Sequence, residues 1–224
     1  MHLFADIALQ TMNNLTSWKQ TFPDPSTSPA HYARTLSISC SHPVTEANAR
    51  AGDWISGFSR VARLTVVGSL ELHRALAVTI LPFHGFSPIK SLHVNLLVLP
   101  SSQVFDLILS FPLLENLSVF SSTETPIHNR DSSNGPPTAA QSPIPPAFSG
   151  SLELSMAGGM GPIARRLSSL PGGIHFRKLT LKWAEEEDIL LTMALMERCS
   201  RTLESLDIAC NPRSTTIPFL HLHR

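Results

Sequence analysis

The sequence is short of the features that usually announce a function. Only 15% of its 224 residues are charged, and 17 Lys and Arg balance 17 Asp and Glu. A chain without net charge lacks the basic field that nucleic acid or an anionic membrane surface requires, so neither is expected as a partner. Cys40, Cys199 and Cys210 are an odd number of cysteines with no CxxC spacing. That speaks against a disulfide framework or a zinc site and for a reducing compartment, so an intracellular protein, cytoplasmic or nuclear, is expected. No apolar run reaches the roughly 18 residues of a membrane span. Met1 to Asp6 lack the basic-then-apolar run of a secretory signal. Without such a signal, the triplets Asn14-Leu15-Thr16 and Asn116-Leu117-Ser118 read as chance matches to a glycosylation site.

Catalytic patterns are missing too. Glu185, Glu186, Glu187 and Asp188 are consecutive, so on a helix they spread around one turn and do not converge; they read as helix-start acids. Gly158-Gly159-Met160-Gly161 precedes a helix but lacks both GxGxxG spacing and a following Lys-Ser/Thr. The ten histidines, His42, His84, His175, His221 and His223 among them, show no HExxH or Cys/His ligand spacing. There is no Gly-x-Ser-x-Gly elbow, and no cysteine sits in a nucleophile context. The expectation is a protein that is not an enzyme and holds no cofactor or metal.

What is present is a repeated hexad. Leu203 to Asn211 read L-x-x-L-x-I-x-x-N, the core pattern of a leucine-rich repeat. The same spacing recurs around Leu36, Leu64, Leu92, Leu117, Leu152 and Leu179, giving seven units with Leu206. The steps between them are 28, 28, 25, 35, 27 and 27 residues. The Asn of the last unit has no counterpart ladder: Ser41, Ser69, Leu97, Ser122, Ala157 and Ala184 stand at the matching positions, so the repeat is irregular. Alternate side chains of a strand face opposite ways. Each hexad therefore turns Leu and Ile or Val inward and a polar line outward: Ser37, Thr65, His93, Ser118, Glu153, Thr180 and Asp207. A sheet covered on both faces would read apolar throughout.

Between the hexads lie helical patterns ended by proline or glycine. One carries Ala47, Ala51, Trp54, Ile55 and Phe58, and a second carries Leu72, Leu76 and Ile80. Val104, Leu107, Ile108 and Phe111 form the clearest face, stopped by Pro112. Gly161-Pro162 opens a helix with Ile163, Leu167 and Leu170, and the last helix carries Ile189, Leu190, Met193, Leu195 and Met196. Residues 1–22 also read as helix, and 1–32 as an N-terminal helical cap. Residues 33–211 form the repeats, with 122–147 as a flexible Pro/Ser-rich insertion, and 212–224 are a C-terminal tail. The expected fold is an α/β, irregular leucine-rich-repeat solenoid of about seven repeats, with parallel strands on the concave face and helices on the convex face.

Several blocks carry a family likeness: Thr21 to Tyr32 (TFPDPSTSPAHY), Cys40 to Thr45 (CSHPVT), Trp54 to Ser59 (WISGFS), Pro82 to Pro88 (PFHGFSP), Leu99 to Pro112 (LPSSQVFDLILSFP) and Leu170 to Phe176 (LPGGIHF). In these the chain resembles the F-box/leucine-rich-repeat-like proteins abundant in mushroom-forming fungi, over roughly residues 15–211. The resemblance implies a substrate-presenting repeat surface. In full-length members it implies an F-box that docks on the Skp-type adaptor of a ubiquitin ligase. Residues 1–32 have no Leu-Pro-x-Glu opening, so the expectation is that the F-box is missing here and that the adaptor is a partner only if an F-box lies upstream.

The function expected is non-catalytic binding of a protein partner on the concave face. The alternatives are the substrate-recognition part of an F-box ligase subunit and a truncated product without activity. The candidate protein-binding residues are Arg63, Thr65, His93, Asn95, Asn116, Ser118, Phe120, Glu153, Lys178, Thr180, Lys182 and Asp207.

Overall fold

The computed structural model describes residues 4–9, 12–24, 26–40, 57–68, 88–96, 101–121, 148–156, 161–170, 173–184, 189–210 and 220–223. The helical readings over 45–57 and 72–80, the insertion 122–147, Gly158 to Met160 and Glu185 to Asp188 fall largely or wholly outside them. Among the described residues no helix is long and apolar enough to cross a membrane.

The protein is a mixed α/β chain built on one open sheet. Strands β1 (Asp6–Leu9), β2 (Thr35–Cys40), β3 (Arg63–Gly68), β4 (Ser91–Leu96), β5 (Asn116–Ser121), β6 (Ser151–Met156), β7 (Lys178–Ala184) and β8 (Ser205–Cys210) run parallel and sit side by side in chain order. A ninth strand, β9 (Leu220–His223), pairs antiparallel with β8 at the far edge. Helices α1 (Met12–Thr21), α2 (Ser101–Leu109), α3 (Gly161–Ser168) and α4 (Ile189–Cys199) lie between strands, and α3 packs beside both α2 and α4.

The hexads fix the register. Leu36, Leu64, Leu92, Leu117, Leu152, Leu179 and Leu206 stand opposite one another across β2 to β8. All are buried to 3% exposure or less, and Val66, Val94, Val119, Leu154 and Leu181 repeat the row two residues on. Buried side chains of α2 (Val104, Phe105, Leu107, Ile108) and α3 (Ile163, Ala164, Leu167) belong to this same cluster. Each such Val, Leu or Phe contributes roughly 1.5–3 kcal/mol on burial.

A second regularity lies just before the strands, in the backbone. The carbonyl of Arg34 accepts both Ala62 N–H at 2.9 Å and Arg63 N–H at 3.1 Å. Ala5, Ala62, Lys90, Gly150 and Arg177 accept the same pair of bonds from the next strand's start. The pattern breaks only between β5 and β6, where the chain returns from 122–147. There Glu115 O accepts Gly150 N–H, and the Asn116 side chain takes over, accepting Ser151 N–H at 2.9 Å and Ser151 Oγ–H at 3.0 Å. The returning chain passes through Phe148 at φ +44° with its ring fully buried, 5.0 Å from that of Phe176. A bulky residue in that left-handed region is strained.

Two readings need correction. Residues 6–9 are a strand, not part of a helix: Ile7 and Leu9 are buried while Asp6 and Ala8 are exposed, a period of two that the wider run of scattered apolar residues obscured. The helix begins at Met12, and Trp18 on it stacks against Phe22 at 4.8 Å and Phe58 at 5.7 Å, tying the N-terminal segment to the core. On α4 the buried stripe is Thr192, Leu195 and Cys199, with Leu191 and Met196 partly buried, whereas Leu190 and Met193 are 76% and 59% exposed. A helix apolar nearly all round has no face legible from its own sequence.

Candidate functional site

The face opposite the leucines carries three rows of side chains set by the same register. The first row contains Thr35, Arg63, Ser91, Asn116, Ser151, Lys178 and Ser205. The second is Ser37, Thr65, His93, Ser118, Glu153, Thr180 and Asp207. The third contains Val67, Asn95, Phe120, Ser155, Lys182 and Ala209. All twelve candidate residues therefore lie on one face, across the six strands β3 to β8. Most are half-exposed, Arg63 and Lys178 are exposed, and Thr180 is buried between Glu153 and Asp207.

Four of them are joined in a chain across β4 to β7. His93 Nδ1 lies 2.9 Å from Ser118 Oγ, Ser118 Oγ lies 3.2 Å from Glu153 Oε2, and Lys182 Nζ donates to Glu153 Oε1 at 2.6 Å. The Lys182 ammonium holds the Glu153 carboxyl below the usual carboxylate range, against partial desolvation and with help from the Ser118 hydroxyl and the His93 ring. An ionised carboxylate can only accept, so it takes the single proton of Ser118. This is not the geometry of a nucleophile, in which the serine proton points at the imidazole.

Beside the chain sits Ser155, in the row of Phe120 and Lys182. It is 1% exposed and its Oγ has no hydrogen-bond partner. Asn116, by contrast, is engaged by Ser151 and works as a clasp.

Sequence reasoning missed the ion pairs that border this face. Lys90 and Glu115 meet at 2.8 Å, and Arg177 and Glu204 at 3.7 Å, each at the position before the strand. The signal was available, because aligning the hexads sets those opposite charges side by side. It also missed the burial of Ser155 on the face read as polar and open.

Among the described residues no group of His, Cys, Asp and Glu gathers to hold a metal. Compared with known proteins, the chain matches no family model, no curated protein and no solved structure.

Proposed function

We propose that this chain is a protein-binding scaffold, an irregular leucine-rich-repeat-like solenoid that receives its partner on the polar face of the sheet. The observation that carries the reading is one-sidedness. Seven consecutive parallel strands bury one row-face and keep the other mostly polar and mostly half-exposed, Ser155 and Thr180 being buried. Parallel sheets normally have helices on both faces. Strand order equals chain order, and crossovers of the usual right hand would return every connection on the same side. On this reading the helices form the convex side and the polar face the concave one. A broad polar surface with scattered charges and a half-exposed aromatic suits a polypeptide better than a small molecule.

The test is site-specific photocrosslinking. A photoreactive residue placed at Thr65 or Asn95 should capture the partner, and one placed at Glu197 on α4 should not. Capture from α4 alone would move the docking surface to the helices. The resemblance to F-box proteins supports a companion reading, in which the captured partner is a ligase substrate. Co-purification of a Skp-type adaptor with the full transcript's product supports it, and adaptor-free complexes count against it.

A further inference from the structure

We infer that Arg34, Arg60 and Arg63, gathered where β2 and β3 begin, form a docking surface for an acidic segment of a protein partner, whose carboxylate takes the part that a glutamate of the next repeat plays elsewhere along this edge. Arg63 borders the docking face proposed above, and to that extent the assignment rests on it.

Arg34, Lys90 and Arg177 hold the same position in their repeats. The carbonyl of each accepts the pair of N–H bonds from the start of the next strand. The residue giving the first of those bonds is Glu115 after Lys90 and Glu204 after Arg177. Each carboxylate reaches its cation, at 2.8 Å and 3.7 Å. After Arg34 that residue is Ala62, which has no charge to offer, and a second arginine, Arg63, follows it. Arg63 N lies 3.1 Å from Arg34 O, so the two main chains touch there. Arg60 stands in the turn that leads into β3, and three residues of chain span at most about 11 Å. All three arginines are exposed, and among the described residues none forms an ion pair or hydrogen bond through its side chain.

The surrounding charges leave a positive excess. Asp6 opens β1, two strands from Arg63 with Thr35 between them, and pairs with none of the three. Asp24 is closed into a turn by the N–H and hydroxyl of Ser26. On the other side Lys90 is already matched by Glu115, so the basic patch ends there and is too short to follow a phosphate backbone. Guanidinium groups take carboxylates two hydrogen bonds at a time. Small-molecule sites are concave, whereas these cations are spread over two strand starts and a turn on an exposed edge, which suits a polypeptide. Tyr32 projects at the same edge, 51% exposed in the short helical turn before β2 with its ring 3.9 Å from that of His31. Tyrosine and arginine are the side chains that interfaces favour.

The test titrates the whole chain into a rhodamine-labelled peptide of alternating Glu and Ala, about six residues long and so roughly 20 Å when extended, with fluorescence anisotropy as the readout. The peptide should bind at low salt and weaken as salt is raised. Arg34→Gln with Arg63→Gln should weaken it by about tenfold or more. Arg165→Gln with Arg198→Gln removes the same charge from exposed sites on α3 and α4, and should change it by less than about twofold. Ala62→Glu supplies the carboxylate found in the other repeats, and should abolish binding while the urea midpoint holds. Equal losses in the two double variants, or undiminished binding by a folded Ala62→Glu chain, would overturn the assignment. So would equal binding of a Lys-Ala peptide, tighter binding of oligothymidylate of the same net charge, or no binding at all. The docking face is judged separately, by where photocrosslinks form.

Discussion

Leu179 offers the sharpest test of the register, because its neighbour Lys178 is the control. Leu179 is fully buried, standing opposite Leu152 on one side and Leu206 on the other, while Lys178 is exposed one residue earlier on the same strand. Leu179→Ala removes methyl groups from a site walled by two strands that are themselves fixed by further strands, so collapse around the cavity is limited. The expected cost is about 3 kcal/mol, within the roughly 2–5 kcal/mol seen for such truncations. For a chain of this size about 1 kcal/mol corresponds to a Tm shift of roughly 2–4 °C, so the midpoint should fall by about 6–12 °C. Lys178→Ala should stay within about 0.5 kcal/mol of the parent. Urea unfolding followed by circular dichroism measures both. A one-residue slip in strand pairing exchanges the two faces. Equal costs for the two variants, or a larger cost at Lys178, would refute the register and with it the whole open-face argument. Leu179→Asp extends the test, since an unpaired buried charge there should abolish the cooperative transition.

Other expectations follow from single contacts. A Cβ on Gly150 would lie 2.3 Å from Asn116 Oδ1 and 3.0 Å from the Glu115 carbonyl. Gly150→Ala should therefore destabilise by about 1–3 kcal/mol, and the double variant with Asn116→Ala should cost less than the two single changes together. The Glu153 pKa is lower in the folded state than in the unfolded one. Its contribution is thus present above the unfolded carboxylate range and lost as pH falls through the folded value. With more than a third of the side chain exposed, that contribution should be no more than about 1 kcal/mol, and Glu153→Gln should remove this part of the acid dependence of urea unfolding. Burial pushes the Cys199 thiol up and shields it, so peptide mapping after a brief iodoacetamide pulse should find it unmodified in the native chain and modified in urea. Early modification at Cys199 would contradict the packing of α4.

The leucine ladder was legible because each repeat states the same two facts, a period of two within the hexad and a step of about 27 residues between hexads. That was enough to place Leu36 through Leu206 in register and all twelve candidate residues on one face. β1 was not legible, since Asp6 to Leu9 are too few to display a period against the scattered apolar residues around them. The exposed side of α4 was not legible either: Leu190 and Leu191 are chemically alike, and only the packing of α4 against α3 and the core decides which one is partly buried. The Asn116 clasp was hidden for a different reason. Its task exists only because the chain leaves after β5 and returns before β6, and nothing local to Asn116 encodes that return.

On the proposed docking face, the way polar groups satisfy one another decides where a partner would gain energy. A parallel sheet with one face in water must pair polar side chains across strands, and here His93, Ser118, Glu153 and Lys182 do so with one another, as Asn116 does with Ser151. Partners of groups already bonded gain little, because one hydrogen bond is exchanged for another. Arg63 and Lys178 differ. Both are exposed, and among the described residues neither forms an ion pair or hydrogen bond through its side chain. Phe120 is half-exposed beside the buried hydroxyl of Ser155. Interface energy concentrates in aromatic and arginine anchors surrounded by near-neutral contacts. Alanine substitution of Phe120 or Arg63 should therefore weaken partner capture by about tenfold or more, roughly 1.4 kcal/mol. Thr65→Ala and Thr180→Ala should change it by less than about threefold, or roughly 0.65 kcal/mol. The order is measured by titrating the captured partner against each variant, with urea midpoints as the folding control. The reverse order, with Thr65 and Thr180 dominant and Phe120 neutral, would mean that the partner reads the sheet floor rather than its projecting side chains.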